Sequence, residues 1–269
     1  LRTAVTEKIP FIALSLISSI LTVLAQNAGG AMLMMEIVPL SVRLLVAARS
    51  LMAYLWKMIV PVDFIPYYPY PKDASLFSPE YFAAVALTLV TTIACIVMAK
   101  KQKVLLSAWG YYVICLIPVL GIIQVGAQSM ADRYTYLPSL GPFLIVGLIA
   151  ANTYGTVIHT NRWREILRAA CLCIALAIIV SLSYATVKQI GIWKNSTVFW
   201  NYVIEKEPSK VPIAHYNLGF VYMNQGMLDL AVEQYRMAIN IKRDYADAYN
   251  NLGIIYKNQG MLDLAIEQY

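Results

Sequence analysis

His215-Tyr216-Asn217-Leu218-Gly219-Phe220-Val221-Tyr222 returns as Tyr249-Asn250-Asn251-Leu252-Gly253-Ile254-Ile255-Tyr256, 34 residues later. The copy runs on. Asn224-Gln225-Gly226-Met227-Leu228-Asp229-Leu230-Ala231 becomes Asn258-Gln259-Gly260-Met261-Leu262-Asp263-Leu264-Ala265, and Glu233-Gln234-Tyr235 becomes Glu267-Gln268-Tyr269. Self-similarity at a fixed period marks stacked helix-turn-helix units, each too small to bury its apolar face alone. The spacing predicts helices at 212–225, 229–242 and 246–259. Gly219 and Gly253 let paired helices approach closely, and the tyrosines and alanines fill the seam between them.

A period of 34 with Leu-Gly, a tyrosine three residues on, and Ala and Tyr at their later places resembles tetratricopeptide repeats. Residues 212–269 are read as such an α-solenoid whose second repeat stops inside its second helix. The resemblance implies a concave groove for a protein or peptide partner. A plain spacer is the other reading.

Working outward, the polarity changes. The 269-residue chain is 59% hydrophobic and 13% charged, about half the charge of an ordinary soluble domain. Residues 1–190 hold 14 Lys+Arg against 7 Asp+Glu, and 191–269 hold 7 against 8. The first part is apolar and basic, the second of common polarity. The expected fold is therefore all-α: a polytopic transmembrane bundle over 1–190, an interfacial linker helix over 191–211, then the repeats. In the linker, Trp193, Phe199 and Trp200 suit a membrane interface. Asn195-Ser196-Thr197 reads as a helix cap or a glycosylation triplet.

Apolar runs occupy 9–25, 81–99, 104–124, 142–158 and 169–187. The second of these ends in Lys100-Lys101-Gln102-Lys103, and Pro118 is expected to kink the third. Residues 27–43, with Gly29, Gly30, Glu36 and Pro39, form a looser stretch. Residues 44–60 carry Arg49 and Lys57 eight apart, on one helical face; this is a poor span or a surface amphipathic helix. Pro61, Pro66, Pro69 and Pro71 forbid a regular helix in the tyrosine-rich loop that follows. The basic loops at 100–103 and 162–168 are expected in the cytoplasm. The Pro-Tyr loop, residues 131–139 and the repeats then lie on the periplasmic, extracellular or lumenal side. Arg2 and Lys8 argue for a cytoplasmic start and conflict with that count. Cys95, Cys115, Cys171 and Cys173 fit no zinc spacing and are expected as small buried hydrophobes.

Ala131-Asp132-Arg133-Tyr134-Thr135-Tyr136-Leu137-Pro138-Ser139 stands between two of these runs. Ionisable groups at a membrane boundary are costly and mark pathways or sites. They also end helices at interfaces, with Asp132 and Arg133 neutralising each other and the tyrosines at headgroup level. The residues alone leave both readings open.

Glu7-Lys8-Ile9-Pro10-Phe11, Ala25-Gln26-Asn27, Tyr68-Pro69-Tyr70-Pro71 and Asp132 to Ser139 occur in this order. Joined to the repeats, they resemble the multi-spanning protein O-mannosyltransferase-like family that carries tetratricopeptide repeats at its C-terminus. The resemblance implies a GT-C-type membrane enzyme. It would pass a sugar, expected to be mannose, from a polyprenyl-phosphate donor to a protein acceptor on the outer or lumenal side. Residues 1–190 would be the C-terminal part of that membrane domain. The catalytic acid would lie upstream of Leu1, in a chain read as a fragment at both ends, so the catalytic residue is not assigned. Arg133 would hold the donor phosphate, since guanidinium is a fixed planar cation. Asp132 would orient it or meet the sugar. Tyr134 and Tyr136 would stack on the sugar, with Asp63, Tyr67, Tyr68, Tyr70 and Lys72 as further external-loop candidates. Membrane lipid and a protein acceptor are the expected partners; no metal and no nucleic acid are expected. His159 and His215 are poorly placed for Ser-His chemistry. The competing reading is a membrane-anchored repeat scaffold without catalysis.

Overall fold

The computed structural model describes residues 6–7, 9–28, 38–71, 73–122, 128–160, 164–208 and 210–269. Arg2, Lys8, Gly29, Gly30, Glu36, Lys72, Arg162 and the side chain of His159 lie outside the described residues. The chain is all-α, 77% helical. Its helices are α1 (Ile9–Ala28), α2 (Leu40–Ile59), α3 (Pro79–Met98), α4 (Lys103–Leu116), α5 (Leu140–Thr160), α6 (Arg164–Ile192), α7 (Ser196–Lys206), α8 (Pro212–Asn224), α9 (Leu228–Ile241), α10 (Ala246–Asn258) and α11 (Leu262–Gln268). Short 3-10 turns span Ile117–Val119 and Asp132–Thr135. The chain divides into two compact units. One comprises Leu1–Val60 and Tyr70–Gly147, the other Pro61–Pro69 and Leu148–Tyr269.

The first unit is built on α2. Its buried residues are Arg43, Val46, Ala47, Ser50, Leu51 and Tyr54, a stripe at the i, i+3, i+4 spacing of one helical face. α3 packs on it through Tyr81 and Ala84, and α4 contributes Ala108, Trp109, Tyr112 and Leu116. Two polar side chains of this core are paired across helices. The Tyr112 hydroxyl donates to the Leu51 carbonyl at 2.6 Å, and Trp109 Nε1 donates to Thr92 Oγ1 at 3.1 Å. A Cβ on Gly141 would lie 2.5 Å from the Ala108 carbonyl oxygen, so only glycine lets α5 start this close to α4. Arg49 on α2 does not face the core. It pairs with Glu80 at 3.1 Å on the exposed side.

Two expectations change here. The run 104–124 is not one long helix: α4 stops at Leu116 and tightens into a 3-10 turn around Pro118, because proline removes a donor and clashes with the preceding turn. The cysteines are not all buried. Cys95 and Cys115 are half-buried, whereas Cys171 and Cys173 are exposed on α6.

Among the described residues, two helices are long and apolar enough to cross a membrane, α3 and Glu165–Ile192 of α6. None of the apolar window of α6 is covered by protein. Leu172, Ile174, Leu176, Val180 and Val187 stand well over half exposed.

In the second unit, Trp193 and Lys194 turn the chain from α6 into α7. Asn195 caps α7, its side-chain oxygen accepting from the Val198 amide at 2.8 Å. Phe199 meets Trp193 and Trp200 edge-on, at centroid distances of 4.8 and 4.7 Å. Val203, Val211 and Ala214 form a core with Ile65, Tyr67, Phe199 and Trp200 packed against it. α8 to α11 are the repeats, and the bounds of α8, α9 and α10 fall within one residue of those the period predicts. Ala231, Tyr235, Ala238, Ala248, Leu252, Ile255, Tyr256 and Ala265 fill the seam. Gly226 and Gly260, both at φ 76°, close the turns after α8 and α10, a left-handed conformation that costs glycine nothing.

Candidate functional site

The turn that carries Asp132 and Arg133 is anchored from inside. Ala131 is buried, and its amide donates to the Tyr54 hydroxyl of α2 at 2.9 Å. Tyr54 is itself fully buried. The Tyr134 amide returns to the Ala131 carbonyl at 3.0 Å, and Thr135 Oγ1 donates to the Asp132 carbonyl at 2.7 Å. Ser139 closes the next turn, its hydroxyl on the Tyr136 carbonyl at 2.8 Å. One end of this loop is thus fixed to the core while Arg133, Tyr136 and Leu137 face outward.

Arg133 is exposed. Among the described residues its partner is Tyr134, not Asp132. The guanidinium sits over the Tyr134 ring, 5.1 Å from the centroid, with Nη2 at 3.5 Å from the phenol oxygen. Gln128 Nε2 donates to the same oxygen at 3.2 Å, so the ring is held from two sides. A cation stacked on an aromatic face keeps its charge and its outer donors. The mutual neutralisation of Asp132 and Arg133 is therefore not what holds Arg133. Tyr136 and Leu137 are 79% and 67% exposed, so Tyr136 is presented to the surroundings and makes no core.

The loop candidates divide between the units. Asp63, Tyr67 and Tyr68 belong to the second, Tyr70 to the first. Asp63 has φ 53° and accepts from Lys206 Nζ at 2.7 Å. Tyr68 takes the Ile65 amide on its hydroxyl at 2.9 Å. Tyr67 packs in the core under α7, and burial pushes its phenol up. The Tyr70 hydroxyl is buried; burial raises its pKa while the charge of Arg43 pulls it back down. Lys72 lies outside the described residues.

The repeats offer a second surface. Arg236 Nη2 donates to the Tyr256 hydroxyl at 2.9 Å, on the wall of a groove of about 510 Å³ that also takes in Tyr249, Leu252 and Glu267. His215 is buried with Nδ1 at 2.8 Å from Gln234 Oε1, a structural role. Arg43 and Tyr54 are the residues the sequence reading did not single out. Extending the α2 stripe one turn toward its N-terminus would have placed Arg43 on the buried face.

These features define a helical-repeat segment joined to apolar helices. A family model described as TPR repeat matches residues 222–260. A protein O-mannosyl-transferase of Xenopus laevis, tmtc2, is 26% identical over 150 residues. That match covers 56% of this chain and 17% of the relative's own length. The chain is thus a repeat protein with partial similarity to a protein so named.

Proposed function

We propose that the chain is part of a multi-pass membrane protein that transfers a sugar from a polyprenyl-phosphate donor to a protein, with the repeats binding the acceptor. The observation that carries this reading is Arg133: an exposed guanidinium stacked on Tyr134, on a turn pinned to the core through Ala131 and Tyr54. Its fork suits a leaving phosphate, and a fixed cation stabilises the charge that develops there. Asp132 and Tyr136 flank it as sugar contacts. The similarity to a named O-mannosyl-transferase supports the same reaction class. The uncovered apolar surface of α6 supports a lipid environment, since water around so many exposed leucines and isoleucines is unfavourable. In this reading 1–190 belongs to the membrane and 191–211 lies at its interface. The basic loops at 100–103 and 162–168 then put the repeats on the outer or lumenal side.

The test is sugar transfer from a polyprenyl-phosphate donor by the full-length protein, as wild type, Arg133→Lys and Arg133→Ala at matched expression. Alanine is expected to lower transfer by about ten- to a hundredfold, the scale of a lost hydrogen bond to a charged group. Lysine keeps the charge and loses the fork, so it rescues in part. Equal rates in all three would reduce Arg133 to a structural residue. Absence of transfer by wild type would favour a membrane-anchored scaffold, a reading that the Arg236–Tyr256 groove of the repeats supports.

A further inference from the structure

The second unit holds a cavity of about 670 Å³ where the last turns of α6 meet α7. The loop after α2 supplies its third wall through Val62, Asp63 and Phe64. Two of the walls are tied together. Lys206 of α7 donates to Asp63 at 2.7 Å and stands over the Tyr202 ring, 5.8 Å from its centroid. Asp63 holds that pair from a φ of 53°. A left-handed residue other than glycine is uncommon, and such outliers gather at ligand sites.

The lining is neutral in sum but not satisfied within itself. Asp63, Lys188, Glu205 and Lys206 all face the cavity. Asp63 and Lys206 answer each other. Lys188 of α6 and Glu205 of α7 make no ion pair among the described residues. The charge of Glu205 reaches Lys206, whose hydrogen bond goes to Asp63 instead. One cation and one anion are thus left over in a cavity whose remaining wall is mostly apolar. Along α6, Lys188 continues a row at four-residue steps, Leu176, Val180 and Tyr184, each at least 60% exposed. Residues four apart share a helical face, so an apolar track of roughly 18 Å, at 1.5 Å per residue, leads to the Lys188 ammonium.

We infer that this cavity takes the headgroup of an ethanolamine phospholipid. That headgroup carries a phosphodiester anion and a primary ammonium, one charge of each sign. Its phosphate meets Lys188, its ammonium meets Glu205 beside the Tyr202 ring, and an acyl chain lies on the Leu176–Tyr184 row. A choline headgroup has the cation without an N–H donor. A glycerol headgroup has the phosphate without the cation. The inference shares with the proposed function the lipid setting of α6, and it does not depend on the transfer reaction or on Arg133.

Purified full-length chain in non-ionic detergent would be titrated with lysophosphatidylethanolamine, lysophosphatidylcholine and lysophosphatidylglycerol of one chain length, following intrinsic fluorescence and thermal unfolding. Saturable binding of the ethanolamine lipid is expected, about tenfold or more tighter than either of the others, the scale of one hydrogen bond to a charged group. Glycerophosphoethanolamine, the same headgroup without a chain, separates a lipid from a soluble source and should not bind at concentrations where the lipid saturates. Lys188→Gln should weaken all three lipids, since each carries the phosphate. Glu205→Gln should weaken the ethanolamine lipid alone and erase its preference. Neither variant should change the ligand-free melting temperature. Equal affinity for the three headgroups overturns the inference, as does tighter binding of the glycerol lipid. Equal affinity for the chainless headgroup overturns the lipid assignment. A matching loss of ligand-free stability in Lys188→Gln and Glu205→Gln would show that the two residues pair with each other and leave nothing for a headgroup. Sugar transfer is not read in any arm, so loss of this site and loss of the transfer reading are told apart.

Discussion

Gly219 faces the ring of Tyr235 so closely that a Cβ on it would lie 2.9 Å from the ring carbon Cε1. The next repeat reproduces the contact, Gly253 against Tyr269 at 2.8 Å. The two sites differ in one respect. Tyr235 is fully buried, and Tyr269 is 65% exposed.

That difference gives a prediction. At both positions alanine gains up to about 1 kcal/mol of helix propensity over glycine. At Gly219 the ring cannot move, so overpacking of about 1–3 kcal/mol wins and Gly219→Ala should lower the melting temperature. At Gly253 the exposed ring can swing aside, and Gly253→Ala should be neutral or stabilising in this chain. Equal losses at the two sites would show that Tyr269 is as confined as Tyr235.

Tyr54→Phe tests the anchor of the Arg133 turn. The buried Ala131 amide would lose its acceptor, at a cost of about 1–3 kcal/mol for a stranded donor. Amide exchange at Ala131 and Tyr134 should quicken, while α3 keeps its protection. Unchanged exchange at Ala131 would mean that another acceptor takes the amide.

The repeats should fail at high pH in a defined window. Burial pushes the Tyr235 phenol up to about 12 and raises Tyr245 as well, with Tyr216 adding to both. A phenol raised in the folded state favours its neutral form there. Its stabilising effect is complete below the ordinary phenol value near 10 and is lost as pH rises from about 10 toward 12. Each pKa unit is about 1.4 kcal/mol. Unfolding followed by circular dichroism should stay level to about pH 10 and then fall, and Tyr235→Phe should flatten part of that fall. A loss that begins well below pH 9 would have to come from other groups.

Asp63 separates backbone from charge. Its φ of 53° suits Asn or Gly and strains alanine. Asp63→Asn keeps the backbone and loses the ion pair with Lys206, so it should be mild. Asp63→Ala adds strain of about 1–2 kcal/mol and should rank last in melting temperature, below Asp63→Gly. An alanine variant as stable as the asparagine one would place the residue outside the left-handed region in solution.

The repeats were legible because the sequence prints the same seam twice, and a period of 34 leaves few ways to place Gly219, Tyr235 and Ala231. Other features were legible only in kind. The break at Pro118 was marked by the proline, but whether it kinks or ends a helix depends on what packs beyond it. The glycines and Pro39 of 27–43 hid the true start of α2 at Leu40, and with it the burial of Arg43. Its own stripe, Val46, Ala47, Ser50 and Leu51, carried the signal. The partner of Arg133 was not legible. Neighbours in a 3-10 turn can pair by charge or by stacking, and the choice fell to Tyr134 because Gln128, a residue from outside the turn, braces its hydroxyl.

α6 runs unbroken for 29 residues, from Arg164 to Ile192, roughly 43 Å at 1.5 Å per residue, against a hydrocarbon layer of about 30 Å. Only Trp193, Lys194 and Asn195 separate its end from α7, and α7 packs directly on Ala214 of α8 through Val203. The repeats are thus geared to this apolar rod with no slack. One residue added to α6 near Lys188 would turn everything after it by about 100° and advance it by 1.5 Å. A flexible tether would absorb such a change; this coupling converts it into a new bearing for whatever the repeats hold.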